Sequence, residues 1–205
     1  MQVILDMYDG EFANHPNIVR FFRNFGNMSN TSVETIRKKL GLESPPIIIV
    51  VQVVDGMGAI PMFTTTGLCV SEKLSSSDKS KLPDLVHGGN RIRKIKMSAA
   101  AIANRYNGFT TAQKVLTHEY VHAYLFYYSA TYIFAPKWLM EGIALWTANQ
   151  TWKEDFSKVP EKYRNDRYRM YLSHIERFQK LLKEENIREV MNKMISSGNP
   201  FRGIL

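Results

Sequence analysis

The sequence predicts an α+β fold, with a short mixed sheet in the first half and helices in the second. Three observations carry that expectation. Residues 47–55, IIIVVQVVD, form a β-branched and nearly continuous apolar run, the pattern of a buried strand. From Thr110 onward the apolar residues recur at helical spacing almost without a break. Between the two lies SEKLSSSDKSKLPDLVHGGN, residues 71–90, whose Ser, Lys, Asp and Gly content suits a long, mobile surface loop. A chain of 205 residues can bury a core of its own. We therefore expect a single domain over residues 1–205, with 1–109 as the sheet-containing half and 110–205 as the helical half.

Taken in order, residues 2–8 suit a first strand. PNIVRFFRNF, residues 16–25, places apolar side chains at helical spacing. TSVETIRKKLG reads as a second helix: Thr31 is its N-cap, Glu34 stands three residues on, bases fill the last turn and Gly41 lies past the end. Pro45 and Pro46 break the chain before the strand at 47–55. The DGMG stretch at 55–58 is a turn signal, and MFTTTGLCV suits a returning strand. RIRKIKMS, residues 91–98, follows the long loop as a strand. Its bases suit a sheet edge protected against unwanted pairing. FTTAQKVLTHEYVHAYLFYYS then opens with Thr110 as N-cap and Gln113 at the reciprocal capping position. Pro136 opens the next helix, and NIREVMNKMISSG is amphipathic.

Composition narrows the chemistry. The chain is 44% hydrophobic and 22% charged, as ordinary globular proteins are. Its single cysteine, Cys69, can form neither an internal disulfide nor a thiolate metal site. Any metal would need imidazole and carboxylate ligands. The N-terminus carries acids where a secretion signal needs bases, and no apolar stretch reaches the ~18 residues of a membrane helix. These features lead us to expect a cytoplasmic protein with no membrane partner. The net charge of +8 sits on either side of residues 106–152, where Lys114 and Lys137 balance Glu119 and Glu141. With no nucleic-acid motif in the chain, that excess reads as a solvated surface and nucleic acid is not an expected partner.

The most informative stretch is T-H-E-Y-V-H, residues 117–122. At about 100° per residue, positions four apart differ by about 40° around a helix. His118 and His122 therefore project side by side, and two imidazoles can reach one ion. Glu119 lies about a third of a turn from His118, where its carboxylate can reach a water held in an open metal position. Two histidines and a glutamate among apolar neighbours would be costly to bury without a partner. Catalytic zinc takes three protein ligands and leaves a position for water. The third candidate is Glu141 in APKWLMEGIALW, the only acid between Glu119 and Glu154. A buried ion pair with Lys137 or Lys114 is the competing reading.

H-E-Y-V-H, eighteen residues, then E in W-L-M-E-G-I-A resembles the gluzincin metallopeptidases, and its flanks are similar to peptidase-MA-like members and minigluzincins. The specific resemblance spans residues 111–148. It implies a zincin-like fold: a small twisted mixed sheet packed on an active-site helix, then a glutamate helix and further C-terminal helices. One Zn2+ ion would be held by His118, His122 and Glu141, with Glu119 as general base. A Tyr or His from the helix after the glutamate helix would stabilise the oxyanion. Tyr171 and Tyr168 are the candidates for that part, with His174 on a compatible face. Peptide or protein substrate would add along an edge strand, which we place at residues 91–99. The resemblance also raises self-inhibition by the C-terminal tail, residues 196–205.

Two departures qualify it. Only G-M-G-A-I at 56–60 stands in for the amino-terminus-binding stretch of the aminopeptidases, so endopeptidase or restricted peptide processing is the better expectation. Leu145 stands where thermolysin-like enzymes keep an acid that orients a histidine, so another acceptor must do so here. The alternative function is a weak or inactive zinc-holding protein that binds peptides or a partner protein.

Overall fold

We describe a computed structural model of the chain, over residues 1–55, 67–70, 92–103, 112–129, 135–150 and 166–196. Its strands are β1 (Gln2–Leu5), β2 (Ile48–Val54), β3 (Gly67–Val70) and β4 (Ile92–Ser98). Its helices are α1 (Pro16–Leu40), α2 (Ala99–Ala103), α3 (Ala112–Tyr128), α4 (Lys137–Thr147), α5 (Asp166–Glu184) and α6 (Ile187–Ser196). The class is mixed α+β, as the sequence predicts. The loop at 71–90, the DGMG turn after Asp55, Thr110 and the tail from residue 197 lie outside the described residues.

The four strands lie in the order β1-β2-β4-β3, with β1, β2 and β4 parallel and β3 antiparallel to β4. One expectation holds in part and another fails. The segment after DGMG does supply a strand running opposite to β2, but not beside it, because β4 stands between β2 and β3. Residues 92–98, expected at an edge, form an interior strand paired on both sides, Ile95 with Val51 and with Cys69. The bases of β4 misled because long cationic side chains can lay their stems on a sheet and keep the head at its margin. Arg93 is buried, with its guanidinium carbon 5.6 Å from the Phe126 ring centroid.

The helix expected at 16–25 and the one expected after Thr31 are one continuous 25-residue helix, α1. Thr31 is not a cap: its hydroxyl donates to Asn27 O at 2.8 Å, the backbone bond of a mid-helix threonine. The true N-cap is His15, whose Nδ1 accepts from the Asn17 amide at 3.2 Å. The C-terminal reading holds. Gly41 takes a left-handed φ of 69°, and its N–H bonds Arg37 O behind a last turn of Arg37, Lys38 and Lys39. The buried stripe of α1 runs Ile18, Phe21, Phe25, Ser29, Ser32, Ile36, Leu40, a helical spacing throughout.

That stripe and the inner sheet face, Ile49, Val51, Val53, Ile95 and Met97, enclose α3 in one core with Leu139, Ile143 and Phe178. Helix α3 also lies against β3. At the C-terminal end, Asn186 and Glu189 form a reciprocal capping box that starts α6 (Glu189 N to Asn186 Oδ1 3.0 Å, Asn186 N to Glu189 Oε2 3.2 Å). Val190, Met191 and Met194 then bury its apolar face. No described helix is long and apolar enough to cross a membrane.

Candidate metal centre

Helix α3 supplies two faces. Gln113, Thr117, Tyr120 and Tyr124 follow one another at helical spacing on the side toward α1. His118 and His122 stand about 150° around from them. Gln113, which the sequence suggests as a reciprocal cap, instead spends its side chain on α1, donating to Met28 O at 2.9 Å and to Ser32 Oγ at 2.8 Å. Anchored in this way, α3 presents the histidines to the glutamate helix α4.

The three predicted ligands converge. His118 Nε2 and His122 Nε2 are 3.1 Å apart. Glu141 Oε2 lies 3.4 Å from the first, and Glu141 Oε1 lies 4.0 Å from the second. One ligand atom from each falls within 4.8 Å of the others. Two nitrogens bound at about 2.05 Å to one tetrahedral ion would stand about 3.4 Å apart. The observed separations bracket that value, so the donor set fits a divalent ion with only small adjustments. The remaining imidazole nitrogen of His118, Nδ1, lies 2.8 Å from Gln150 Oε1.

Charge is shared accordingly. Burial disfavours the His118 imidazolium, but the Glu141 hydrogen bond and the charges of Glu119 and Glu141 outweigh it and raise its pKa to about 9. His122 goes the other way. Burial and the neighbouring His118 charge lower it to about 4 against the pull of Glu141. Burial would raise Glu141, but His118, His122 and, last, Lys137 hold its carboxyl well below the usual range. Without metal, a proton on His118 therefore plays the part of the cation. The rival reading, a lysine partner for Glu141, loses its motive: the two imidazoles are the nearer groups, and the Lys137 side chain is exposed.

Glu119 is buried on α3 beside His118, near enough to act on its charge. Tyr171, on α5, packs in a small cluster with Leu145 and Ile175, its ring edge-on to His174 at 6.2 Å. Tyr168 also belongs to α5, with its side chain outside the described residues. His174 stands out among the groups on that helix. Among the described residues neither of its buried ring nitrogens has a hydrogen-bond partner, and the Glu141 carboxylate acts on its charge. Burial lowers its pKa, so it is a neutral imidazole with a donor to spare at neutral pH.

A glycine permits this closeness. A Cβ on Gly142 would lie 2.6 Å from Phe178 Cβ and 3.2 Å from His174 O. Glu141 is thus followed by the one residue that lets α5 press directly on α4. Trp146 against Phe178 and Arg177 over Trp138 fill the seam on either side. Two residues of the centre gave little sequence signal. Gln150 is an unremarked polar residue after the helix, and His174 sits in a run with three tyrosines upstream. The G of the W-L-M-E-G stretch was the available clue to a tight helix contact.

No family model, no curated protein and no solved structure matches this chain.

Proposed function

We propose that the protein is a zinc-dependent peptidase of gluzincin type, cutting peptide bonds with a metal-activated water. The convergence of His118 Nε2, His122 Nε2 and the Glu141 carboxylate from two helices carries this reading. Glu119 at the adjoining position, the residue type and place a general base needs, supports it. His118, His122 and Glu141 would hold the ion, which supplies Lewis acidity, bringing a water's pKa toward about 7 and polarising a carbonyl.

The chain's own groups would do the rest. The Glu119 carboxylate takes a proton from the attacking water and returns it to the leaving amine nitrogen. His174 donates a hydrogen bond to the developing oxyanion, a part for which its unpartnered nitrogens and its closeness to Glu141 now favour it over Tyr171. The substrate strand cannot pair with β4, which has both edges occupied. Among the described residues, the outer edge on the α3 side belongs to β3, and a peptide added there gives main-chain recognition with little sequence demand. That mode suits endopeptidase or restricted processing activity.

The test compares wild type with Glu119→Gln, measuring bound metal by elemental analysis and hydrolysis on a denatured protein mixture. Glu119→Gln should keep one zinc and lose hydrolysis by at least about a hundredfold. Full hydrolysis in that variant would overturn the mechanism. Zinc in a wild type that cuts nothing would leave the protein as a zinc-holding, peptide-binding one.

A further inference from the structure

Helix α4 ends in a well-built stop with an unusual last residue. Asn149 takes a left-handed φ of 53°. Its N–H donates to Trp146 O at 3.2 Å, and the Gln150 N–H donates to Leu145 O at 2.8 Å. These are the paired bonds of a Schellman motif, with Asn149 in the left-handed position. From α1, Lys39 Nζ donates to Trp146 O at 2.8 Å and to Asn149 Oδ1 at 2.6 Å, and it sits 4.8 Å over the Trp146 ring. The turn that carries Gln150 is therefore held by its own backbone bonds and by Lys39. In this motif the next residue ordinarily turns an apolar side chain back onto the helix. Here that residue is an amide, only 7% exposed, and it meets His118 instead. Burying an amide where an apolar chain would serve costs free energy unless its hydrogen bond matters.

We propose that Gln150 is the positioning residue of the metal centre. Its Oε1 accepts the His118 Nδ1–H at 2.8 Å, fixes that tautomer and aims Nε2 at His122 and Glu141. The role rests on the metal-holding reading above. With the amide reversed, its NH2 would donate to Nδ1 and force the proton of a neutral imidazole onto Nε2, where it would exclude an ion. The partner is also neutral, in the place a carboxylate often takes. With Glu119 and Glu141 ionised, a divalent ion already brings the centre to zero net charge, and an acid at 150 would leave it at minus one. The amide thus orients His118 without adding charge, keeping the ion a stronger Lewis acid at some expense in affinity.

Two substitutions separate this role from a merely structural one. Gln150→Leu restores the ordinary apolar residue but leaves the His118 Nδ1–H without its acceptor, so thermal stability should fall only slightly, while zinc affinity measured by chelator competition should fall about tenfold to a hundredfold. Gln150→Glu should bind zinc as tightly as wild type or more tightly. A second readout needs no metal: two-bond proton–nitrogen NMR of His118 in the metal-free protein at about pH 10, where the imidazole is neutral. Wild type should show Nδ1 protonated, and Gln150→Leu should shift the proton toward Nε2. Zinc affinity in Gln150→Leu within about twofold of wild type, or a wild-type proton on Nε2, overturns the proposal. If wild type takes up no zinc, the metal reading fails and the spectrum still decides: loss of Nδ1–H in Gln150→Leu upholds the positioning role, and Nε2–H in both proteins removes it.

Discussion

Helix α3 buries polar groups on two opposite faces, and the faces obey different rules. Toward α1, Ser29 meets the Tyr120 hydroxyl at 3.0 Å, Ser32 meets Thr117 at 2.9 Å, and Gln113 donates to Ser32 and Met28. No buried side-chain polar atom of Ser29, Ser32, Gln113, Thr117 or Tyr120 is left without a partner, so burial costs little and the seam needs nothing further. Toward α4, two imidazole nitrogens and a carboxylate point at one spot. Without a cation that spot gathers lone pairs and negative charge, and a proton on His118 is a partial remedy. A saturated seam holds helices together, whereas convergent acceptors leave room for a ligand. The polarity of a buried residue does not separate the two cases; how many of its atoms find partners does.

The largest predicted effect breaks the comparison at its functional end. His122→Ala should reduce zinc affinity by more than about a hundredfold, because losing even an outer partner of a ligand costs about tenfold to a hundredfold and this change removes a ligand. Metal titration followed by chelator competition reads it. Unchanged affinity would mean that the ion, if one binds, sits elsewhere.

A smaller effect comes from pH. With His118 raised to about 9, its folded-state pKa exceeds the ordinary imidazole value of 6.5. The stability this proton contributes is full below the unfolded pKa and lost as pH rises through about 9. His122, lowered to about 4, adds an opposite slope: the metal-free fold weakens as pH falls from 6.5 toward about 4. Zinc must displace the His118 proton, so apparent affinity should rise about tenfold per pH unit from neutrality up to about 9 and then level off. Calorimetry in buffers of different ionisation enthalpy should find about one proton released at neutral pH. Release of none would mean that His118 is already neutral.

The sequence exposed the functional face more fully than the framework around it. His118, His122, Glu119 and Glu141 could be placed because helical spacing is fixed by geometry and because acids are scarce in residues 106–152. Strand order was not legible. The Arg93, Lys94 and Lys96 pattern that suggests an edge also fits an interior strand in which Arg93 is buried against Phe126 and the two lysines are half-buried, and pairing partners are set by distant residues. The break assumed near Thr31 failed because a threonine can cap a helix or bond back within one, and the local sequence supports both. Gln150 was hidden for a related reason. Its role depends on a turn completed by Lys39, more than a hundred residues away.

The smallest predicted effect sharpens the comparison from its structural end. Thr117→Val keeps the side-chain shape, removes the bond to Ser32 and leaves Gln113 still donating to Met28 O. It should cost about 1 kcal/mol in urea unfolding. Adding Ser32→Ala removes both partners, so the double variant should lose less than the sum of the two single ones. Neither change should move zinc affinity, although Thr117 adjoins His118, because the two side chains leave the helix about 100° apart. A loss of zinc affinity that tracked the loss of stability would show that the seam sets the position of the histidines. The two faces of α3 would then be one coupled unit rather than a scaffold and a site.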